Sequence, residues 1–201
     1  MNASDARRAL LVRLWDYAGV FPPAKLALED ALAEWKRIRT SEDAWLVNRL
    51  VVRAEHARVC GSEPLAIVDG AEERQGDVVF REGETKLRCA GARVPSVDDV
   101  ADFVRRCRYL GLRFKATAGL HHALPTDGEH GFLNLLAACV FGDEEEMLTT
   151  REISLDADAF RANGRTADAD ECARVRRELF ASIGSCSFAE PVGELRALGI
   201  L

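Results

Sequence analysis

Residues 84–118 read ETKLRCAGARVPSVDDVADFVRRCRYLGLRFKATA, and this stretch decides the fold class. Its first segment, Glu84 to Ala90, alternates, with Leu87 and Cys89 on one face and Lys86 and Arg88 on the other. That period of two predicts a strand. Ser96 then stands as an N-cap with Asp99 three residues on, and Val100, Phe103, Val104 and Cys107 form one helical stripe that ends before Gly111. Leu112 to Ala118 alternates again, with Phe114, Ala116 and Ala118 opposite Lys115 and Thr117. Strand, capped helix and strand within about 35 residues form a βαβ unit with parallel strands.

The same rhythm extends outward. Asp5 to Tyr17 places Leu10, Leu11, Leu14 and Trp15 at helical spacing, and Gly19 with Pro22-Pro23 stops that helix. A second helix is expected from Ala24 to Arg39. Trp45 to Val52, Leu65 to Val68 and Asp77 to Phe80 read as short strands, and Gly131 to Phe141 as a buried helix. Asp143 with Glu146 marks another helix start. Thr166 to Leu179 reads as a helix, Phe180 to Cys186 as a last strand, and Pro191 to Leu198 as a closing helix. Alternation of this kind predicts an α/β protein. A full eight-fold barrel takes ~250 residues, and this chain has 201 with about six legible strands. The expectation is therefore an abbreviated or irregular TIM-like (β/α) barrel, with an open parallel α/β sheet as the alternative. Residues 1–201 are expected to form one domain, with 1–40 a helical N-terminal segment packed on it.

Composition narrows the classes. Apolar residues make up 48% and charged residues 30%, ordinary for a globular chain. A net charge of −6 argues against a general nucleic-acid binder, though it leaves room for a local basic pocket. No apolar run reaches the ~18–20 residues of a membrane span. Arg13 and Asp16 break the N-terminal apolar stretch, so no signal peptide is expected and the location is expected to be cytoplasmic. The six widely spaced cysteines read as reduced thiols packed like small apolar residues. An incomplete barrel exposes strand edges, which predicts a homodimer that covers them.

In parallel α/β folds ligands bind at the carboxyl ends of strands. Lys86 and Arg88 on one strand and Lys115 and Thr117 on the next are expected to face inward together. Converging cations call for an anion, either a bound substrate or internal carboxylates such as Asp16, Asp69 or Glu84. Their mutual repulsion is expected to lower Lys115 from ~10.4 toward roughly 7–8, where its amine serves as nucleophile or base. Three of the four histidines (His121, His122 and His130) fall within ten residues, and are expected to supply acid/base chemistry beside Lys115. Asn134, four residues past His130, is placed in the same pocket. Gly184 and Ser185, at a late strand end, are expected to hold an anion through backbone N–H groups. Cys186 is weighed as a nucleophile, with no base assigned to it.

The segments Phe114–His122, Lys86–Arg88, His130–Asn134, Asp16–Pro23 and Gly184–Phe188 together resemble a bacterial protein family of uncharacterised function, over most of the chain. More loosely, the Lys115-x-Thr117 strand resembles the Schiff-base lysine strand of deoxyribose-phosphate-type class I aldolases. That resemblance implies a carbonyl-lyase reaction with Lys115 as the amine. The leading expectation is an enzyme acting on a small anionic carbonyl-containing metabolite, without cofactor. Lys115 and Lys86 with His121 and His122 are the expected catalytic groups. Arg88, Thr117, His130, Asn134, Asp16, Asp69, Gly184 and Ser185 are the expected substrate contacts. A divalent-metal hydrolase or isomerase built on His121, His122 and His130 is one alternative. A non-catalytic small-molecule-binding or assembly protein is the other.

Overall fold

Eight strands form one sheet whose two edges nearly meet, in a computed structural model that describes residues 5–91 and 94–201. Met1–Ser4, where the signal-peptide reading begins, lie outside the described residues. In chain order the elements are α1 (Ala6–Leu11), β1 (Trp15–Tyr17), α2 (Leu28–Thr40), β2 (Val47–Arg53), β3 (Leu65–Asp69), β4 (Glu72–Gln75), β5 (Val78–Arg81) and β6 (Lys86–Arg88). They continue with α3 (Val97–Tyr109), β7 (Phe114–Thr117), α4 (Phe132–Phe141), α5 (Glu144–Thr149), β8 (Ile153–Leu155), β9 (Phe160–Ala162), β10 (Arg165–Ala167), α6 (Ala169–Glu178), β11 (Phe180–Ser185) and α7 (Ala189–Ala197).

The large sheet runs β5-β4-β3-β2-β1-β11-β7-β6, and a parallel bridge between Glu82 and Lys86 draws its two edges together. β4 alone runs against the other seven strands. That reversal explains how a barrel-like sheet fits a short chain. β3, β4 and β5 are joined by two-residue hairpin loops led by Gly70 and Gly76, at φ 57° and 62°, where glycine carries no Cβ penalty. Two helical crossovers are thereby dispensed with.

The βαβ unit forms as read. Ser96 Oγ accepts from Asp99 N while Asp99 accepts from Ser96 N, and β6 pairs parallel to β7 with Lys86 opposite Lys115. α4 is buried from Phe132 to Cys139. α6 starts later than expected, at a second reciprocal cap between Asp168 and Glu171. The small sheet β10-β9-β8 was not foreseen.

The N-terminal helix is the main correction. Only Ala6–Leu11 is helical; Arg13 turns the chain at φ 50°, and Trp15–Tyr17 becomes a central strand between β2 and β11. Residues 5–40 therefore contain a barrel strand and are not a helical annex. Leu10, Leu11, Leu14 and Trp15 are all fully buried, so their helical spacing was real burial read with the wrong period. Pairing on both sides overrode local propensity.

Candidate active site

The interior of the barrel is polar and electrically balanced. β1 contributes Asp16, β4 contributes Glu73 and Gln75, β6 contributes Lys86, β7 contributes Lys115 and β11 contributes Ser182, all buried. Lys115 Nζ donates to Asp16 Oδ2 at 2.7 Å and to Glu73 Oε1. Lys86 Nζ lies 3.3 Å from Glu73 Oε2. Asp16 also accepts from Ser182 Oγ at 2.6 Å, Gln75 Nε2 at 2.8 Å and Asn48 Nδ2 at 2.8 Å. Two cations meet two carboxylates.

Lys86 and Lys115 do point inward together, as strand alternation requires. The expected fall in the Lys115 pKa does not occur. Burial alone would lower it, but the charges of Asp16 and Glu73 and their hydrogen bonds outweigh burial, and the ammonium is held above its ordinary value. A fully buried, doubly paired ammonium is neither a ready nucleophile nor a base. Arg88 does not join the cluster: it is half exposed and pairs with Glu82 at 3.2 Å. Asp69 is exposed at the end of β3, and Thr117 sits half-buried at the end of β7. Thr117 Oγ1 and Gly184 stand so close that a Cβ on Gly184 would meet that oxygen at 2.9 Å. Ser185 Oγ donates to Ser187 O at 2.6 Å.

His130 and Asn134 serve the framework. The His130 ring Nε2 lies 2.9 Å from Pro95 O, and Asn134 Nδ2 donates to Met147 O at 2.8 Å and Thr150 O at 2.7 Å. A second constellation assembles at the carboxyl ends of the strands. Ala118 and Gly119 both take positive φ, 61° and 67°, and turn the chain sharply after β7. Gly119 is required there, because a Cβ would stand 2.7 Å from Cys89 O and from Ala90 Cβ. Ala118 N donates to Gly184 O at 3.2 Å, which brings the loop after β7 beside the end of β11.

That adjacency places His121 against Cys186. Cys186 is the main influence that raises the His121 pKa; burial opposes it, and the Glu190 charge adds to it. Glu190 Oε2 lies 2.8 Å from His121 Nδ1, off the axis of a proper hydrogen bond. Glu190 stands in the first turn of α7, and Glu194 one turn later approaches His122 Nδ1 at 3.3 Å and accepts from Ala123 N at 3.2 Å. The histidine pair is thus divided between two carboxylates of one helix face. Cys186 is half-buried, while the other five cysteines are buried and all six are free thiols. Beside it, the buried Tyr17 hydroxyl donates to Glu34 Oε2 at 2.7 Å.

Sequence reading missed Glu73, Gln75, Glu190 and the partnership of Cys186. Among the described residues, no group of three His, Cys, Asp or Glu side chains is arranged to hold a metal ion. No helix among them is long and apolar enough to cross a membrane. No known family model, curated protein or solved structure matches the chain.

Proposed function

We propose that this chain is a barrel enzyme that acts on a small carbonyl compound through a thiol–imidazole couple, Cys186 and His121, at the carboxyl-end mouth of the sheet. The observation that carries the reading is one imidazole, His121, with the Glu190 carboxylate 2.8 Å from its Nδ1 and the half-buried Cys186 thiol as the main influence on its charge. A thiol becomes a competent nucleophile when an adjacent base takes its proton. His121 is that base, and Glu190 stabilises the imidazolium that results. The thiolate adds to the carbonyl carbon, the π electrons move to oxygen, and His121 returns the proton to that oxygen. The product of this step is a hemithioacetal-type adduct on Cys186.

This reading keeps the carbonyl substrate expected from the sequence and moves the nucleophile from an amine to a thiol. The charges of Lys86 and Lys115 are neutralised by Asp16 and Glu73, so they offer little to an anionic substrate. An imine on Lys115 requires its ammonium to leave both carboxylates and lose a proton; borohydride trapping read by intact mass separates that chemistry from this one. The direct test is alkylation of the native protein with iodoacetamide near neutral pH, with the modified residue mapped by mass spectrometry. Cys186 is expected to react first, and His121→Gln to slow it roughly tenfold or more. Reaction at another cysteine first, or a Cys186 rate indifferent to His121, would remove the proposal.

A further inference from the structure

The mouth that carries Cys186 is one end of the barrel; a cavity opens at the other. It has a volume of about 570 Å³ and lies among the amino ends of the strands and the helices that precede β1 and β11. That volume falls within the ~300–1,000 Å³ typical of small-molecule sites. Six arginines line it, Arg8, Arg13, Arg49, Arg113, Arg176 and Arg177, against two acids, Asp5 and Asp170.

The arginines divide into a fixed one and several unneutralised ones. Arg176 is buried and donates to five backbone carbonyls, those of Leu10, Val12, Arg13, Phe180 and Ala181, at 2.5–3.3 Å. Carbonyls do not cancel its charge. Arg177 pairs with Glu178 at 2.9 Å. Among the described residues, Arg8, Arg13, Arg49 and Arg113 have no carboxylate within ion-pair distance. The Nε of Arg49 is buried without a hydrogen-bond partner, and a buried donor left unmade is costly. Asp5 is already engaged, capping α1 through Arg8 N and contacting Arg7. The remaining wall is largely apolar, made by Val12, Val78, Phe80 and Ala173 among others, with the amides of Asn48 and Gln75.

We propose that this amino-end cavity binds an organic phosphate, a second site independent of the chemistry at Cys186. Guanidinium groups present paired N–H donors that match phosphate oxygens, and several unneutralised ones call for a ligand with at least two negative charges. The apolar wall calls for an organic body. The cavity is far larger than a bare phosphate ion, so the ester fits it better than the free anion.

Calorimetric titration of the full chain with phenyl phosphate, inorganic phosphate and benzoate tests this. Phenyl phosphate is expected to bind tightest, and to weaken roughly tenfold in each of Arg8→Met and Arg113→Met. Both side chains are exposed, so the fold should tolerate their loss. Added salt should weaken wild-type binding as well, a readout that needs no variant. Inorganic phosphate binding as tightly as the ester would overturn the organic half of the proposal. Benzoate matching the ester would overturn the need for a dianion. No binding at millimolar concentration, or binding indifferent to salt and to both arginines, would overturn it entirely. Since the readout is binding and not thiol reactivity, either proposal can fail without the other.

Discussion

Replacing Lys115 with methionine removes one of two cations from the buried interior and leaves Asp16 and Glu73 sharing Lys86. Neutral donors remain: Asn48, Gln75 and Ser182 for Asp16, and Gln75 for Glu73. One buried negative charge then lacks compensation, which costs about 3–5 kcal/mol. In a chain of 201 residues each kcal/mol moves Tm by about 2–4 °C, so the melt should fall by roughly 6–20 °C. Urea unfolding measures the energy directly, and its pH dependence supplies a sharper signature. In the wild type, burial would raise Glu73, but Lys115, Lys86 and Gln75 together outweigh burial and hold it below its ordinary 4.5. Its contribution is therefore full above pH 4.5 and lost as pH falls through the lower folded value. Lys115 is raised, so its contribution is full below 10.5 and lost only as pH rises through the still higher folded value. Without Lys115, burial, the largest influence on Glu73, raises it, protonation relieves the buried charge, and the deficit should shrink as pH falls toward the ordinary 4.5. Lys115→Met with Glu73→Gln restores charge balance and should recover at least half the loss. A deficit under about 1 kcal/mol, or one that ignores pH, refutes the account.

Three further outcomes are expected. The Tyr17 phenol is pushed well up, first by burial and then by its hydrogen bond to Glu34. A Tyr109→Phe variant, keeping only Tyr17, should show no tyrosinate absorbance until it unfolds; a native-state alkaline titration refutes this. Arg176→Met leaves five carbonyls without their donor and should cost about 3–5 kcal/mol in urea unfolding, with Arg176→Lys a partial rescue because an ammonium lacks the guanidinium fork. A loss under about 1 kcal/mol would contradict the structural role. Asn134→Ala should cost about 1–3 kcal/mol through the stranded carbonyls of Met147 and Thr150, measured the same way, and a neutral effect would return Asn134 to consideration as a ligand contact.

The legible parts of the sequence were those in which local pattern and tertiary role coincide. The β6-α3-β7 unit carries its period, its cap and its terminator within itself, so both lysines were placed correctly on the inward face. β4 was invisible because Glu72-Glu73-Arg74-Gln75 contains no apolar residue. In a barrel filled with polar groups the inward face is marked by a carboxylate and an amide, and the usual alternation carries no signal. β8, β9 and β10 are three residues each, too short for a period to show. His121 and Cys186 lie far apart in sequence and meet only because β7 pairs with β11. One local clue was present: Ser187 and Glu190 stand at the spacing of a helix start, and Ser187 Oγ does accept from Glu190 N at 3.3 Å. That clue places an acid within a turn of Cys186 and says nothing of the imidazole.

The polar interior calls for a physical reason, because apolar side chains of equal volume would usually fill such a space with equal or greater stability. Register supplies one. A one-residue slip of β4 would turn Glu73 and Gln75 outward and bring Glu72 and Arg74 inward, setting Arg74 among Lys86 and Lys115. Three cations would then face two carboxylates, Asp16 and Glu72, and Asp16 would lose its Gln75 donor, an imbalance that no apolar gain on so short a strand would offset. β4 has no hydrophobic side chain of its own to hold it in place, and it is the single strand that runs against the rest. Its pairing with β3 and β5 must therefore be specified by charge. On this argument the lysine pair positions the reversed strand, the reversed strand lets the sheet come round on itself in a short chain, and the near-closed sheet brings the ends of β7 and β11 into the arrangement that sets His121 against Cys186.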